Sequence, residues 1–437
     1  MLDWLIVGGG IHGCTIAHSL LRYGPADPDR LQIVDPDSQP LAAWRRQTHA
    51  CGMRYLRSPA AHAIIPDFTS LLAWGRSHGY DVDRHTIPPY ARPSIELFQA
   101  HADAMLEQSR IRDRWIRGIA DRARRDGDRW VVRLAGGSTV EARNVVLAPG
   151  KAGLAMPRWA DQTRRVMHVF DPRFDRDAAS RAAAPLIVGG GITAASLALF
   201  LAGLRISRAR TQRGSPQIAP VRLVVRPHAR NPDQASDLPL DVEQFDSDPC
   251  YIGPACMKRF LSTDDPEARR RILAEARRPG SITPDLARRL ERAVARGTVE
   301  TIVDDLVGVA RDEGLVALEG RAGRYDTDLV VLATGFVKRP PGGRILERLA
   351  SGDAAGRALP VDSLGYPIPD RSLQWAPGLF VTGALAEQEL GPSAPNIVGA
   401  HNAAKRIIAH LSGTPRPIPA AWKRYAPGSV SSSSDSI

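Results

Sequence analysis

The sequence predicts an α/β protein with two Rossmann-like dinucleotide-binding domains, the second inserted into the first. Two glycine-rich segments support this, at residues 8–13 and 189–194, because each follows a short apolar strand and precedes an apolar helix. Such a turn lets the backbone approach a pyrophosphate, and the helix N-terminus supplies amide donors. Two such turns in one chain indicate two bound dinucleotides. The residues expected to contact them are Gly8, Gly10, Gly13, Gly189, Gly191 and Ala194.

Later parts of the chain indicate how the two domains are arranged. Apolar strands at about 144–150 and 328–336 each end in a tight turn, and residues 151–184 between them are polar, as is typical of a linker. No internal repeat is expected beyond the glycine-rich segments. We expect antiparallel strands around 113–118 and 129–140, and helices around 254–262, 265–277 and 284–297. We predict a first domain at 1–155 and 335–428, a second at 180–334 with a helical insertion at about 228–300, and a disordered Ser-rich tail at 429–437.

The residue that ends the second strand of each domain indicates which dinucleotide binds there. Asp35 lies 22 residues after Gly13, where a carboxylate binds the adenosine ribose hydroxyls. Arg226 follows the apolar strand at 221–225, where an Arg accommodates a 2′-phosphate. The second domain is therefore expected to prefer NADPH to NADH.

Charge and cysteine content argue against several protein classes. The net charge of +11 comes from scattered Arg, with only five Lys and no long basic tract interleaved with aromatic residues, so nucleic-acid binding is not expected. The four cysteines form neither a disulfide framework nor a metal pattern, which fits a reducing cytoplasm. The first strand begins too close to Met1 for a signal peptide, and the apolar stretch 186–204 is expected to be a buried strand–helix unit, not a membrane span.

With these features the chain resembles the two-dinucleotide-binding-domain flavoproteins, and among them the single-component flavin-dependent N-hydroxylases, the lysine and ornithine N-monooxygenases. The most discriminating match is Asp328-x-x-x-Leu332-Ala333-Thr334-Gly335-Phe336, and a weaker one is Trp44 followed by Gly52-Met53. The resemblance implies FAD at the first glycine-rich segment and NADPH at the second. The further residues expected to contact the cofactors are Trp44, Gly150, Ala333, Thr334, Gly335, Gly383 and Asn396.

Three positions depart from the resembled pattern. Trp44 is followed by Arg45-Arg46-Gln47 where the lysine and ornithine enzymes place a His. The Phe-x-Gly-x-x-x-His fingerprint of the wider flavin monooxygenases is absent around His168, and the late Gly-Asp of many flavoproteins is Gly383-Ala384. FAD and NADPH are still expected, whereas the substrate is left open.

The resemblance implies a monooxygenase in which reduced flavin and molecular oxygen give a flavin hydroperoxide, which transfers one oxygen atom to a nitrogen or sulfur of a small metabolite. Gln47, Met53 and Arg54 are the candidates for the flavin face, where an Arg stabilises the anionic reduced ring and a Met packs on its edge. The alternative is that Met53 belongs to the core and Arg54 to the solvated surface. Asn396 opens the last helix, either directing its dipole at the flavin or serving as a plain N-cap.

Other functions stay open at this point. Cys51 is the candidate thiol of a pyridine-nucleotide oxidoreductase that reduces a disulfide or quinone without oxygenation, although no CxxC partner is present. A non-catalytic flavin- or nucleotide-sensing protein is a third possibility. His168 and His401 are expected to be structural and not proton shuttles. Substrate-selecting residues are expected within 44–105 and near 245–249. No membrane or metal partner is expected, and a homo-oligomer is compatible with the sequence but not specified by it.

Overall fold

The structure is a computed structural model that describes residues 1–162, 165–211, 219–227, 236–243, 254–276, 280–312, 315–352 and 358–412. The predicted tail at 429–437 and the segment 245–249 lie outside the described residues. The helices in chain order are α1 (Ile11–Arg22), α2 (Ala42–Ala50), α3 (Ser70–Ser77), α4 (Ile95–Gln108), α5 (Arg176–Ala179), α6 (Ile192–Thr211), α7 (Pro254–Leu261), α8 (Pro266–Ala276), α9 (Pro284–Ala295), α10 (Gly343–Ser351), α11 (Glu387–Leu390) and α12 (Ile397–Ser412). The strands are β1 (Leu2–Val7), β2 (Leu31–Asp35), β3 (Thr86–Ile87), β4 (Arg92–Pro93), β5 (Trp115–Arg117), β6 (Ala120–Asp126), β7 (Arg129–Leu134), β8 (Thr139–Leu147), β9 (Val166–His168), β10 (Leu186–Val188), β11 (Val221–Val225), β12 (Asp241–Val242), β13 (Ser281–Ile282), β14 (Val299–Val303), β15 (Leu306–Asp312), β16 (Leu315–Gly320), β17 (Arg324–Thr327), β18 (Val330–Leu332), β19 (Gln374–Ala376) and β20 (Leu379–Val381).

The first glycine-rich segment follows the central strand of a parallel sheet. Its strands run in the order β5, β2, β1, β8 and β20, with β19 antiparallel at one edge and β6–β7 extending from β8 as an antiparallel ribbon. Leu5 and Ile6 of β1 and Val145 and Val146 of β8 are fully buried. Strands covered on both faces have nearly continuous apolar sequences, which is why β1 and the end of β8 show no alternation.

The second sheet repeats the arrangement of the first. Its order is β14, β11, β10, β18 and β9, all parallel, and β15–β16–β17 form a separate antiparallel sheet. In both sheets the strand before the glycine-rich turn lies between the second and the closing strand. The duplication therefore extends from the two turns to the whole sheet. Since the second sheet lies between β8 and β19 in the chain, the predicted fold of two Rossmann-like domains, the second inserted into the first, is confirmed.

Three sequence expectations need correction. Residues 151–184 are not only a linker, because they contain β9, which pairs in parallel with β18. β5 was expected to be antiparallel, yet it pairs in parallel with β2 at the edge of the first sheet. The predicted helical insertion is not one unit, since Leu286 and Leu290 of α9 pack into the core of the second domain. Strands of three residues are too short to show a period, which explains the first two errors.

Among the residues that the structure describes, one helix, over Ile192–Arg210, is long and apolar enough to cross a membrane by length and composition. This is α6, which follows the second glycine-rich turn. Its Ala194, Ala198 and Leu201 are fully buried in the core of the second domain. The burial of this face accounts for its apolar sequence without a bilayer.

Helix α8 packs against the C-terminal part of the first domain through buried charges. Arg270 donates from Nε to Asp362 Oδ2 over 2.7 Å and from Nη1 to Glu387 Oε2 over 3.1 Å. Gln388 donates to the same Asp362 oxygen over 2.7 Å. The cluster ties a helix from the predicted insertion to the segment that carries α11.

Candidate functional site

The first glycine-rich turn is closely packed on one side and open on the other. Gly8 has φ +112°, and a Cβ there would lie 2.1 Å from the carbonyl oxygen of Ala148. A Cβ on Gly13 would lie 1.8 Å from the oxygen of Gly8. Gly10, by contrast, has nothing within 4 Å of its Cβ position, and it precedes α1 without a side-chain cap. Gly10, at this helix end, therefore faces open space, as the close approach of a pyrophosphate requires.

Asp35 lies beside this turn at the end of β2. Its Oδ2 accepts the N–H of Gly9 over 2.6 Å, and its Oδ1 accepts the N–H of Asp37 over 2.8 Å. Burial raises the pKa of Asp35, an effect that these two donors oppose. The carboxylate is thus held against the glycine-rich turn, in the position from which it is predicted to bind ribose hydroxyls.

The second turn has the same backbone construction. The N–H of Gly189 donates to Val224, just as that of Gly8 donates to Val34. Gly189 has φ +152°, and a Cβ there would lie 2.6 Å from the oxygen of Ala333. At the third position of the glycine pattern, where the first turn has Gly13, the second turn has Ala194. Its side chain is fully buried, so a Cβ fits at this position.

The approach to the second turn is narrower than the approach to the first. A Cβ on Gly191 would lie 3.4 Å from Cα of Gly280, so the two backbones are close together. Arg226 is exposed immediately after β11, the strand that corresponds to β2. Because Gly8 donates to Val34 and Gly189 to Val224, Val225 corresponds to Asp35, and Arg226 lies one residue further along the chain. The role of Arg226 toward a 2′-phosphate stays a prediction.

The Ala-Thr-Gly triplet lies where the second domain returns to the first. Thr334 donates from Oγ1 to the oxygen of Ala155 over 2.5 Å, and the N–H of Ala155 donates to Gly335 over 3.0 Å. Leu154 and Phe336 form an antiparallel bridge between the same two segments. These contacts therefore join the segment in which the chain leaves the first domain to the segment in which it returns. Gly150, with φ +79° and open space at its Cβ position, begins the first of these crossings.

Three chain segments meet at His12, which is not among the site residues predicted from the sequence. His12 Nδ1 lies 2.9 Å from Thr382 Oγ1 and its Nε2 lies 3.4 Å from the oxygen of Pro395. A Cβ on Gly383 would lie 3.7 Å from the imidazole. Burial lowers the pKa of His12 to about 4, so the ring is neutral near pH 7. His12 could have been identified as a candidate from the sequence, because it lies within the first glycine-rich segment.

Asn396 directly precedes α12 close to this imidazole. Its backbone oxygen accepts the N–H of Gly399 over 3.0 Å, as at the start of a helix. Asn396 also contributes to the surroundings of His12, since a hydrogen bond that its backbone accepts from the ring raises the pKa of His12. His12, in the first turn of α1, thus contacts the residues that directly precede α12.

Trp44 is partly buried and packs against the core of the first domain. Its ring centroid lies 5.0 Å from that of Phe98. The two arginines that follow it fix α2: Arg45 pairs with Asp103 over 2.5 Å and Arg46 with Asp37 over 2.7 Å. These ion pairs give a structural role to the residues that replace the His of the resembled family.

The three candidates for the flavin face lie on or just after α2. Gln47 is partly buried on the helix. Met53 packs against the hydrophobic cores of both domains, so it marks the boundary between them. Arg54 is exposed and lines a cavity between the domains. Their role toward a flavin stays a prediction.

The two histidines expected to be structural are both buried and neutral. His168 accepts the N–H of Phe170 at Nδ1 over 3.1 Å, and burial lowers its pKa. His401 donates from Nε2 to Ala63 over 2.8 Å, and burial lowers its pKa to about 3. Each ring therefore has a backbone partner, as a structural histidine does, and the absence of a proton-transfer role stays a prediction.

Comparisons with known proteins agree with this architecture. A family model described as FAD-NAD(P)-binding matches residues 5–152. No curated protein is similar in sequence. The structure is similar to FAD-bound cadaverine monooxygenase of the desferrioxamine pathway from Erwinia amylovora, with a TM-score of 0.69, 15% identity, and coverage of 94% of this chain and 95% of that one.

Two further structures show the same similarity. Ornithine hydroxylase from Pseudomonas aeruginosa matches with a TM-score of 0.67 and 16% identity, covering 94% of this chain and 99% of that one. L-lysine 6-monooxygenase from Pseudomonas syringae matches with a TM-score of 0.64 and 18% identity over the same shares of the two chains. At these identities the likeness establishes a common fold. The chain therefore has the fold of two-dinucleotide-binding-domain flavoproteins, and its residues 5–152 form an FAD/NAD(P)-binding domain.

Proposed function

We propose that this protein is an FAD- and NADPH-dependent monooxygenase that transfers one oxygen atom from molecular oxygen to a nitrogen, or a sulfur, of a small metabolite. The observation that carries the proposal is the pair of similarly built glycine-rich turns, each after the central strand of its own parallel sheet. The first turn binds FAD, and the second binds NADPH, which reduces the flavin. The three similar structures, whose names describe oxidation of cadaverine, ornithine and lysine, favour nitrogen as the acceptor.

The residues around the first turn fit FAD. The N-terminus of α1 and the open face of Gly10 would hold the pyrophosphate, and Asp35 the adenosine ribose. Bound FAD supplies the reaction with oxygen, and the protein supplies binding, orientation and exclusion of water. Neutral His12, in the first turn of α1, contacts Thr382 and the residues just before α12 and adds no charge there.

The rival function, a disulfide reductase, requires a reactive thiol, and Cys51 does not fit that role. Its side chain is 1% exposed, and burial raises its pKa to about 11, so the thiol stays protonated at neutral pH. We expect Cys51→Ser to oxidise NADPH within about twofold of the wild-type rate, because the change removes no reacting group. The measurement is steady-state NADPH oxidation alongside circular dichroism. A folded variant with no turnover would restore the thiol mechanism.

Arg226 is expected to set the preference for NADPH. Replacing it by Gln removes a charge-assisted hydrogen bond to the 2′-phosphate, which is worth roughly 1.5–3 kcal/mol. We therefore expect the KM for NADPH to rise about 10- to 100-fold, and the KM for NADH to change little. NADH is the internal control, since it lacks the phosphate. An equal loss with both nucleotides would show that Arg226 does not read the 2′ position.

The decisive experiment for the proposed function is stopped-flow spectroscopy. Enzyme reduced by NADPH is mixed with oxygenated buffer in the absence of substrate. An oxygenase is expected to show a transient absorbance, distinct from both oxidised and reduced FAD, that persists while NADP⁺ stays bound. Direct conversion of reduced to oxidised FAD in oxygenated buffer, together with stoichiometric reduction of a disulfide or quinone in a separate anaerobic mixing, would favour the reductase instead.

A further inference from the structure

A cavity of about 310 Å³ lies between α6, α9 and the residues that follow α2. Its volume is at the lower end for small-molecule sites. One wall is apolar and comes from α6, with Ile192, Leu199, Phe200 and Leu204. The facing residues are polar or charged: Arg54, Tyr55, Arg92, Thr283, Asp285 and Arg289.

The charged side of this cavity has an excess of positive charge. Asp285 is the one carboxylate among the described residues that line it, and it already pairs with Arg92, which is 1% exposed. Arg54 and Arg289 line the same space. Burial lowers the pKa of Arg289, and the nearby Arg54 lowers it further. Two guanidinium groups thus repel each other across the cavity, and Asp285, which pairs with Arg92 and also attracts Arg289, offsets only part of the positive charge.

We propose that this cavity binds a small amphiphilic anion, whose carboxylate or phosphate lies between Arg54 and Arg289 and whose apolar part contacts α6. An anion there relieves the repulsion between the two guanidinium groups, and the planar fork of Arg suits both oxyanions. The apolar wall formed by Leu199, Phe200 and Leu204 selects a ligand with a hydrocarbon or aromatic part. The inference concerns binding alone and does not depend on which reaction the flavin supports.

The first test compares two probes of equal shape. Isothermal titration of the full-length FAD-bound protein with benzoate is expected to show binding at least about tenfold tighter than with neutral benzamide, because only benzoate accepts charge-assisted hydrogen bonds. Phenyl phosphate and inorganic phosphate complete the series. If phenyl phosphate binds more tightly than benzoate, the preferred anionic group is a phosphate. If benzoate binds more tightly, it is a carboxylate. Equal binding of benzoate and benzamide, or inorganic phosphate binding as tightly as phenyl phosphate, would overturn the inference.

Variants locate the binding in this cavity. Arg289→Gln and Arg54→Gln are each expected to weaken the preferred probe about tenfold or more. Arg288→Gln is the matched control, since Arg288 is exposed on α9 and does not line the cavity. Equal effects of the Arg288 and Arg289 changes would contradict the proposed site.

A variant that fills the cavity avoids altering charge. Gly203 of α6 lines the cavity with nothing within 4 Å of its Cβ position, so Gly203→Leu would occupy the space and favour the helix. It is expected to abolish probe binding while FAD content and thermal stability are retained. Binding that survives this change, or that NADP⁺ displaces competitively, would assign the probe to another site and overturn the inference.

Discussion

Replacing Gly10 by Asp is expected to give a folded protein that does not retain FAD. The Cβ position of Gly10 faces open space, and its backbone is extended, with φ −76° and ψ −168°. An Asp fits this conformation, and it is a favoured residue before a helix whose first turn lacks acidic residues. The same carboxylate would lie where the pyrophosphate is expected. Two like charges about 4 Å apart near a protein surface cost about 4 kcal/mol, so the Kd for FAD should rise roughly a thousandfold.

The measurement is FAD fluorescence after gel filtration, with circular dichroism to establish folding. Gly10→Asn is the matched control, because Asn has the same size and caps a helix equally well but carries no charge. It is expected to lose much less affinity than the Asp variant. Gly13→Ala, unlike Gly10→Asp, should prevent correct folding, because its new Cβ would lie 1.8 Å from the oxygen of Gly8. A Gly10→Asp protein with wild-type FAD affinity would show that the dinucleotide binds elsewhere.

These glycine positions could be predicted from the sequence because the requirement is local. A backbone with positive φ beside a neighbouring carbonyl accepts only glycine. The glycines at positions 8 and 189 therefore indicate this backbone geometry directly. The apolar strand before each turn and the helix after it complete a pattern confined to about thirty residues. The fold class followed from finding that pattern twice.

Contacts between distant parts of the chain could not be predicted in the same way. His12 and Thr382 are 370 residues apart, and Arg54 and Arg289 line one cavity from different domains. Trp44 lies in a family-like segment that predicts a flavin contact, and the contact that the structure shows is its packing on Phe98, so the flavin contact stays a prediction. Which side chains meet at a domain boundary depends on how the domains dock. The local hydrophobic periodicity of the sequence contains no information about that docking.

Replacing Arg270 by Met is expected to destabilise the protein by about 3–5 kcal/mol, because it leaves two buried carboxylates without their counter-charge. The side chains of Arg270, Asp362 and Glu387 are 6%, 0% and 2% exposed, so water cannot take over the role of the guanidinium. Met has a similar length and packs well, so lost volume contributes little. Urea unfolding followed by near-ultraviolet circular dichroism measures the change. Arg271→Met is the control, since Arg271 is the next residue of α8 and is exposed.

Neutralising the two acids should rescue the Arg270→Met protein. Asp362→Asn keeps an oxygen for the N–H groups of Leu364 and Tyr366, which Asp362 Oδ1 accepts over 3.0 Å each, and Glu387→Gln removes the second uncompensated charge. The triple variant is therefore expected to recover most of the lost stability, because the penalty comes from buried charge and not from the missing contact. If Arg270→Met alone were as stable as Arg271→Met, α8 would not be docked on the first domain through these charges. If the single variant were unstable and the triple variant no better, the guanidinium would instead act through its packing against Tyr366, whose ring centroid lies 4.2 Å away.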